Sequence, residues 1–168
     1  MYAPIDPKKF KYRNFRVESL DWSIYEVDHP EVKGILKVLA FPVYVFEVTE
    51  VAPVQPGTPY LQILYQPLIS FYNAGQKVEG DITPVTYEEY LRSKRVDITD
   101  SINSASMPLC SYVLDGEPPL RLRISTTVTK VELIQGRVTQ WGDPVIWVTW
   151  NANYSVTKIG DSTTTPTV

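Results

Sequence analysis

Residues 146–157 read Ile146-Trp-Val-Thr-Trp-Asn-Ala-Asn-Tyr-Ser-Val-Thr157. Ile146, Val148, Trp150, Ala152, Tyr154 and Val156 occupy one parity, and Trp147, Thr149, Asn151, Asn153, Ser155 and Thr157 the other. Successive side chains of a strand point to opposite faces, so an apolar row alternating with a polar row specifies a half-buried strand of an antiparallel sheet. Trp147 is the exception. It lies in the polar row, where a ring of that size needs cover from a second sheet, a ligand or a partner.

Upstream, Leu120, Leu122, Ile124, Thr126 and Val128 alternate with Arg121, Arg123, Ser125, Thr127 and Thr129. Gln135-Gly136 separates Val131–Ile134 from Arg137–Trp141, which predicts a hairpin whose glycine takes a positive φ. Gly142-Asp143-Pro144 predicts the next turn. Together these place an antiparallel meander in the last third of the chain.

The earlier segments are less regular. From Ile35 to Val51 the chain is apolar in both parities around Val38–Phe46, the pattern of a strand covered on both sides, and Pro42 predicts a bulge or an edge there. Leu61, Ile63, Tyr65, Ile69 and Phe71 share one face of the next run, which Pro67 interrupts. The proline-rich residues 52–59 between these runs predict a loop. One helix is expected near 86–95: Thr86-Tyr-Glu-Glu89 forms a capping box, and Arg92, Lys94 and Arg95 suit a helix end.

The 168 residues fit a single β-rich domain over 1–160, followed by a flexible Thr-rich tail at 161–168. Apolar residues make up 43% and charged residues 21%, a globular composition, while fourteen prolines and eight glycines interrupt the chain too often for long helices. The expected class is all-β and mainly antiparallel, a β-sandwich or a closed β-barrel with one short helix. No apolar run approaches the ~20 residues of a membrane span, and the first residues lack the apolar run of a signal peptide. A soluble, cytoplasmic protein is the expectation, with Asn153-Tyr-Ser155 a chance glycosylation sequon.

Standard chemistry finds little support. There is one histidine, His29, and one cysteine, Cys110, and neither sits in a local catalytic motif. Glu18, Asp21, Glu26, Asp28 and Glu31 around His29 read as a solvated acidic face, without the spacing of metal ligands. Glycine-rich phosphate loops and the nucleophile-elbow motif are missing from the sequence. No cofactor and no metal site is expected.

Charge is the clearest compositional signal. The first sixteen residues carry +4, the whole chain −3, and the remainder therefore −7. Lys8, Lys9, Lys11, Arg13 and Arg16 interleave with Phe10, Tyr12 and Phe15, a pattern that suits phosphates and stacked bases. The same run also reads as an amino-terminal arm or first strand whose rings pack inward while the basic stems stay wet.

Three functions follow. The first is a non-catalytic structural or interaction protein, assembling with itself as a homo-oligomer or with a protein partner, using residues 8–16 and Trp147. The second is a small-molecule-binding β-barrel, whose catalytic form would be an enzyme using Tyr and carboxylate groups. The third is an OB-like single-stranded nucleic-acid binder working through residues 8–16, disfavoured by the acidic remainder of the chain.

Overall fold

In the computed structural model the described residues are 6, 8–51, 53 and 57–160. The Thr-rich tail at 161–168 and much of the 52–59 loop lie outside them. Among the described residues ten strands form two antiparallel sheets. The first contains β1 (Phe10–Tyr12), β3 (Ser23–His29), β4 (Val32–Val48), β5 (Leu61–Asn73) and β7 (Ile102–Ser106). The second contains β2 (Phe15–Ser19), β6 (Arg95–Asp97), β8 (Cys110–Leu114), β9 (Leu120–Val138) and β10 (Pro144–Lys158). One helix, α1 (Tyr87–Arg92), precedes β6, with both halves of the Thr86–Glu89 capping box formed. No helix among the described residues is long and apolar enough to cross a membrane.

Each sheet is organised around one long strand. β4 pairs along its length with β5, and on its other side with β3 near its start and β1 near its end. β9 pairs along its length with β10, and on its other side with β8 and then β6. The sheets stack as a sandwich and do not close into the alternative barrel. Among the described residues their two long edge strands, β5 and β10, approach without a backbone–backbone hydrogen bond. The Tyr154 hydroxyl donates to the Leu61 carbonyl and accepts from its amide at 2.9 and 3.1 Å, and Tyr65 meets Trp150 edge to face.

Two apolar clusters fill the interior. Leu39, Val45, Leu61, Tyr112, Leu120, Leu122 and Ile124 belong to one, and Tyr25, Val27, Leu36, Val38, Val131 and Leu133 to the other. Burying each of these side chains contributes on the order of 1.5–3 kcal/mol. Polar Thr126 sits at their boundary. Its hydroxyl accepts from the Ala40 amide and its carbonyl from the Ser23 hydroxyl, both at 3.0 Å, so these groups of Thr126 are satisfied and latch the two sheets together.

The structure corrects one turn and confirms another. β9 runs unbroken through Gln135-Gly136, where a hairpin was expected. Gly136 does have a positive φ of 78°, but it lies in a bulge: β10 pairing jumps from Val138 to Ile134 between Pro144 and Val145. A left-handed glycine serves a bulge as well as a turn, so the local signal was the same. The true hairpin is at 139–143, on the predicted Gly142-Asp143-Pro144 turn. A second bulge leaves Thr129 unpaired, which shifts the inward row of β9 from Leu120–Thr126 on even numbers to Val131 and Leu133 on odd ones. Pro42 borders a bulge at Val43, as its missing amide predicted, and Pro67 is accommodated within the edge strand β5.

Candidate functional site: an open flank of two edge strands

The residues flagged by sequence fall into three places. Lys8 and Lys9 enter a turn, and Phe10, Lys11 and Tyr12 form β1 against the end of β4. Phe10 meets Phe46, and Tyr12 meets both Tyr44 and Phe46. Lys9 pairs with Glu50 at 3.8 Å, and Lys11 with Glu47 at 3.9 Å. The chain then crosses to the other sheet, so the basic run is split between both. Phe15 in β2 packs on Phe41 and Tyr112, while Arg16 stays exposed.

Arg13 makes the crossing and is 3% exposed. Its guanidinium donates to the carbonyls of Asp115 and Pro118 at 2.8 and 3.2 Å and pairs with Glu47 at 3.2 Å. A buried guanidinium persists only when its donors and charge are answered in this way. The alternation of cations and rings therefore serves a corner of the sandwich, with Glu47 of β4 and Glu50 just beyond it answering three of the five cations.

Trp147 finds its cover in α1. Its ring stacks on Tyr90 with centroids 4.4 Å apart and planes 18° from parallel, and Tyr87 adds a tilted contact. Beneath the helix, Glu132 is 4% exposed and accepts a hydrogen bond from the Tyr90 hydroxyl, with Arg95 at 3.7 Å and Lys130 at 3.5 Å. The hydrogen bond to Glu132 holds the Tyr90 proton and raises its pKa above the ordinary 10.0. Arg95 also lies over the Tyr90 ring, 4.3 Å from its centroid. The bulge at Gly136 projects Arg137 toward this roof, where it pairs with Glu89 at 3.2 Å and donates to the Thr83 carbonyl at 2.8 Å. These groups fasten α1 to the outer face of the second sheet.

Cys110 and His29 sit in different sheets, each with a local partner. The Cys110 thiol donates to the Asp21 carbonyl at 3.3 Å, and His29 Nδ1 accepts from the Glu31 amide at 3.1 Å in the β3–β4 turn. Among the described residues no three His, Cys, Asp or Glu side chains converge as metal ligands. At one end of the sandwich, a cleft of about 610 Å³ is lined by Val32, Leu133, Val138 and Pro144 with Lys33 and Arg137 at its rim.

The least protected surface is the flank where β5 and β10 stand side by side. On β5, Leu64, Leu68 and Tyr72 point outward, 56%, 43% and 68% exposed. Tyr44 of β4 extends that patch opposite Leu64. Between the two edges lies an apolar cleft of about 450 Å³, lined by Pro67, Ile69, Ile146, Val148 and Trp150. Burial holds Tyr65 on this flank neutral, its pKa pushed up to about 12 by desolvation and by Tyr154. The opposite flank ends in short strands, five residues in β7 and β2 and three in β6.

Sequence reasoning identified Trp147 and helix 86–95 separately but not their contact. It missed Glu132, because a carboxylate in an alternating strand reads as solvent-facing. It also missed the flank, since alternation marks a strand without saying which strands end a sheet. Compared with protein-family models, curated proteins and solved structures, the chain matches none of them.

Proposed function

We propose that this chain is a non-catalytic β module that works by binding protein, itself included, through the flank formed by β5 and β10. The observation that carries this reading is the coincidence on one side of the sandwich of its two longest edge strands, an apolar cleft between them, and large apolar side chains facing water. Contiguous exposed apolar surface on a folded domain marks interaction sites, and an unpaired edge offers a ready row of backbone donors and acceptors. The basic amino-terminal run supports a nucleic-acid function less well, because Lys9, Lys11 and Arg13 face Glu50 and Glu47 of the same chain.

Size-exclusion chromatography with light scattering, run from micromolar to submillimolar chain in low and high salt, tests the self-association form of this reading. Association that rises with concentration and survives salt is expected of an apolar, backbone-paired contact. A strict monomer under all of these conditions would exclude it.

A further inference from the structure

We infer that β10 is the pairing edge, and that its partner is β10 of a second copy of this chain, joined antiparallel about a two-fold axis at Asn153 so that the second sheet runs on from one molecule into the other. This rests on the flank proposed above and names its partner.

Three observations lead there. The first is the direction of the backbone groups. In β10 the odd residues face β9: the Ile159 amide donates to the Pro119 carbonyl, and the Thr149 carbonyl accepts from Thr129. The amides and carbonyls of Ile146, Val148, Trp150, Ala152, Tyr154 and Val156 therefore point outward from the edge, and among the described residues none pairs with them. A regular row of alternating donors and acceptors is matched by another extended strand.

The second is the lack of any guard. From Val145 to Thr157 the strand has no charged residue, no proline and no glycine. Edges are ordinarily blunted by such residues, by short length or by cover. β5 shows the contrast. Its outward set is the odd one, since Leu61 turns its amide and carbonyl to Tyr154 while the Ala74 amide reaches β4. Pro67 falls in that set and offers no amide.

The third observation identifies the partner. A two-fold antiparallel pairing sets each strand against its own reverse, so any charge near the axis would meet its like. With the axis at Asn153, Thr149 faces Thr157, Asn151 faces Ser155 and Asn153 faces itself. On the inner face Trp150 meets Val156 and small Ala152 meets large Tyr154. Polar faces polar and large faces small across these five pairs around the axis, and the one charge of the strand, Lys158, falls at its end opposite Val148. The inner row of β10 is only half-buried in one copy, whereas Leu120, Leu122 and Ile124 of β9 are 0–1% exposed. The same pairing brings the second copy's Val156–Ile159 beside the apolar cleft between β5 and β10.

The test is a charge swap on exposed side chains that leaves the β9 ladder alone. N151K/N153K and N151E/N153E variants are checked for unchanged circular dichroism and melting, then compared with wild type by light scattering, alone and mixed in equal amounts. Each variant alone should associate at least tenfold more weakly than wild type, and the mixture should regain it. Hydrogen exchange should show the even amides from 146 to 156 protected only in the associated state and the odd ones protected in both. A wild-type dimer that both variants retain, or one lacking the alternating protection, overturns pairing through β10 and leaves the flank reading standing. A wild type that never associates overturns both self-association and this pairing.

Discussion

The β4–β5 and β9–β10 hairpins have the same plan and opposite surfaces. Each couples a long central strand to a long edge strand and adds two short strands on the other side. The β5 edge carries Pro67 and presents Leu64, Leu68 and Tyr72 to water. The β10 edge has no interruption and presents Thr149, Asn151, Asn153, Ser155 and Thr157, while α1 roofs the apolar exception, Trp147. One edge strand has a broken backbone row under an apolar face, and the other an intact row under a polar face. A strand combining an intact row with an apolar face would be an aggregation site. Dividing the two hazards between hairpins keeps them from coinciding on one strand.

The largest test of this comparison concerns the glycines. A Cβ at Gly34 in β4 would collide with the backbone carbonyl of Tyr72, so Gly34→Ala must push β5 outward. Denaturant unfolding should show a loss of about 3 kcal/mol. Gly136→Ala in the other hairpin meets nothing within 4 Å and is opposed only by its positive φ, a cost of about 1–2 kcal/mol. Equal losses would mean that the two hairpins are not packed differently at these points.

Next in size is the roof. Tyr90→Phe removes the hydrogen bond to buried Glu132 and should lower the melting temperature. Because the folded Tyr90 pKa lies above the ordinary 10.0, its contribution is complete below pH 10 and is lost as pH rises through the folded value. Wild type should therefore lose its advantage over the variant in that alkaline range. An advantage constant from pH 7 to 11 would show that the hydrogen bond to Glu132 is not its source.

The smallest change in stability, with a visible change in assembly, is expected of Pro67→Thr. Restoring the outward amide should cost under about 1 kcal/mol, the chain-entropy benefit of proline. It should give β5 both hazards at once, seen as light scattering that grows over days beyond any discrete oligomer. Scattering equal to wild type would remove Pro67 as the guard of that edge.

Much of the fold was legible in single segments. Strict alternation gave β10 and the first half of β9, and Thr86 with Glu89 gave α1, because these signals depend on neighbours within four residues. The bulge at Gly136 was not separable from a turn, since both use the same glycine conformation. The site was legible only in fragments: Tyr90 and Glu132 lie 42 residues apart. The basic run looked like one arm because sequence does not show that Arg13 turns inward while its neighbours turn out. Edge position is a property of strand order and leaves no local mark.

Arg13 also bears on how the molecule is made. The carbonyls that receive its guanidinium lie 102 and 105 residues further along. At a synthesis rate of roughly 5–20 residues per second, those acceptors emerge some 5–20 s after the arginine itself. Until then the corner between β1 and β2 holds a cation without its full set of partners and has no reason to dehydrate. Arg13 therefore gains its carbonyl partners only after β8 has been made, and the corner between β1 and β2 works as a latch that closes once every strand of the first sheet exists.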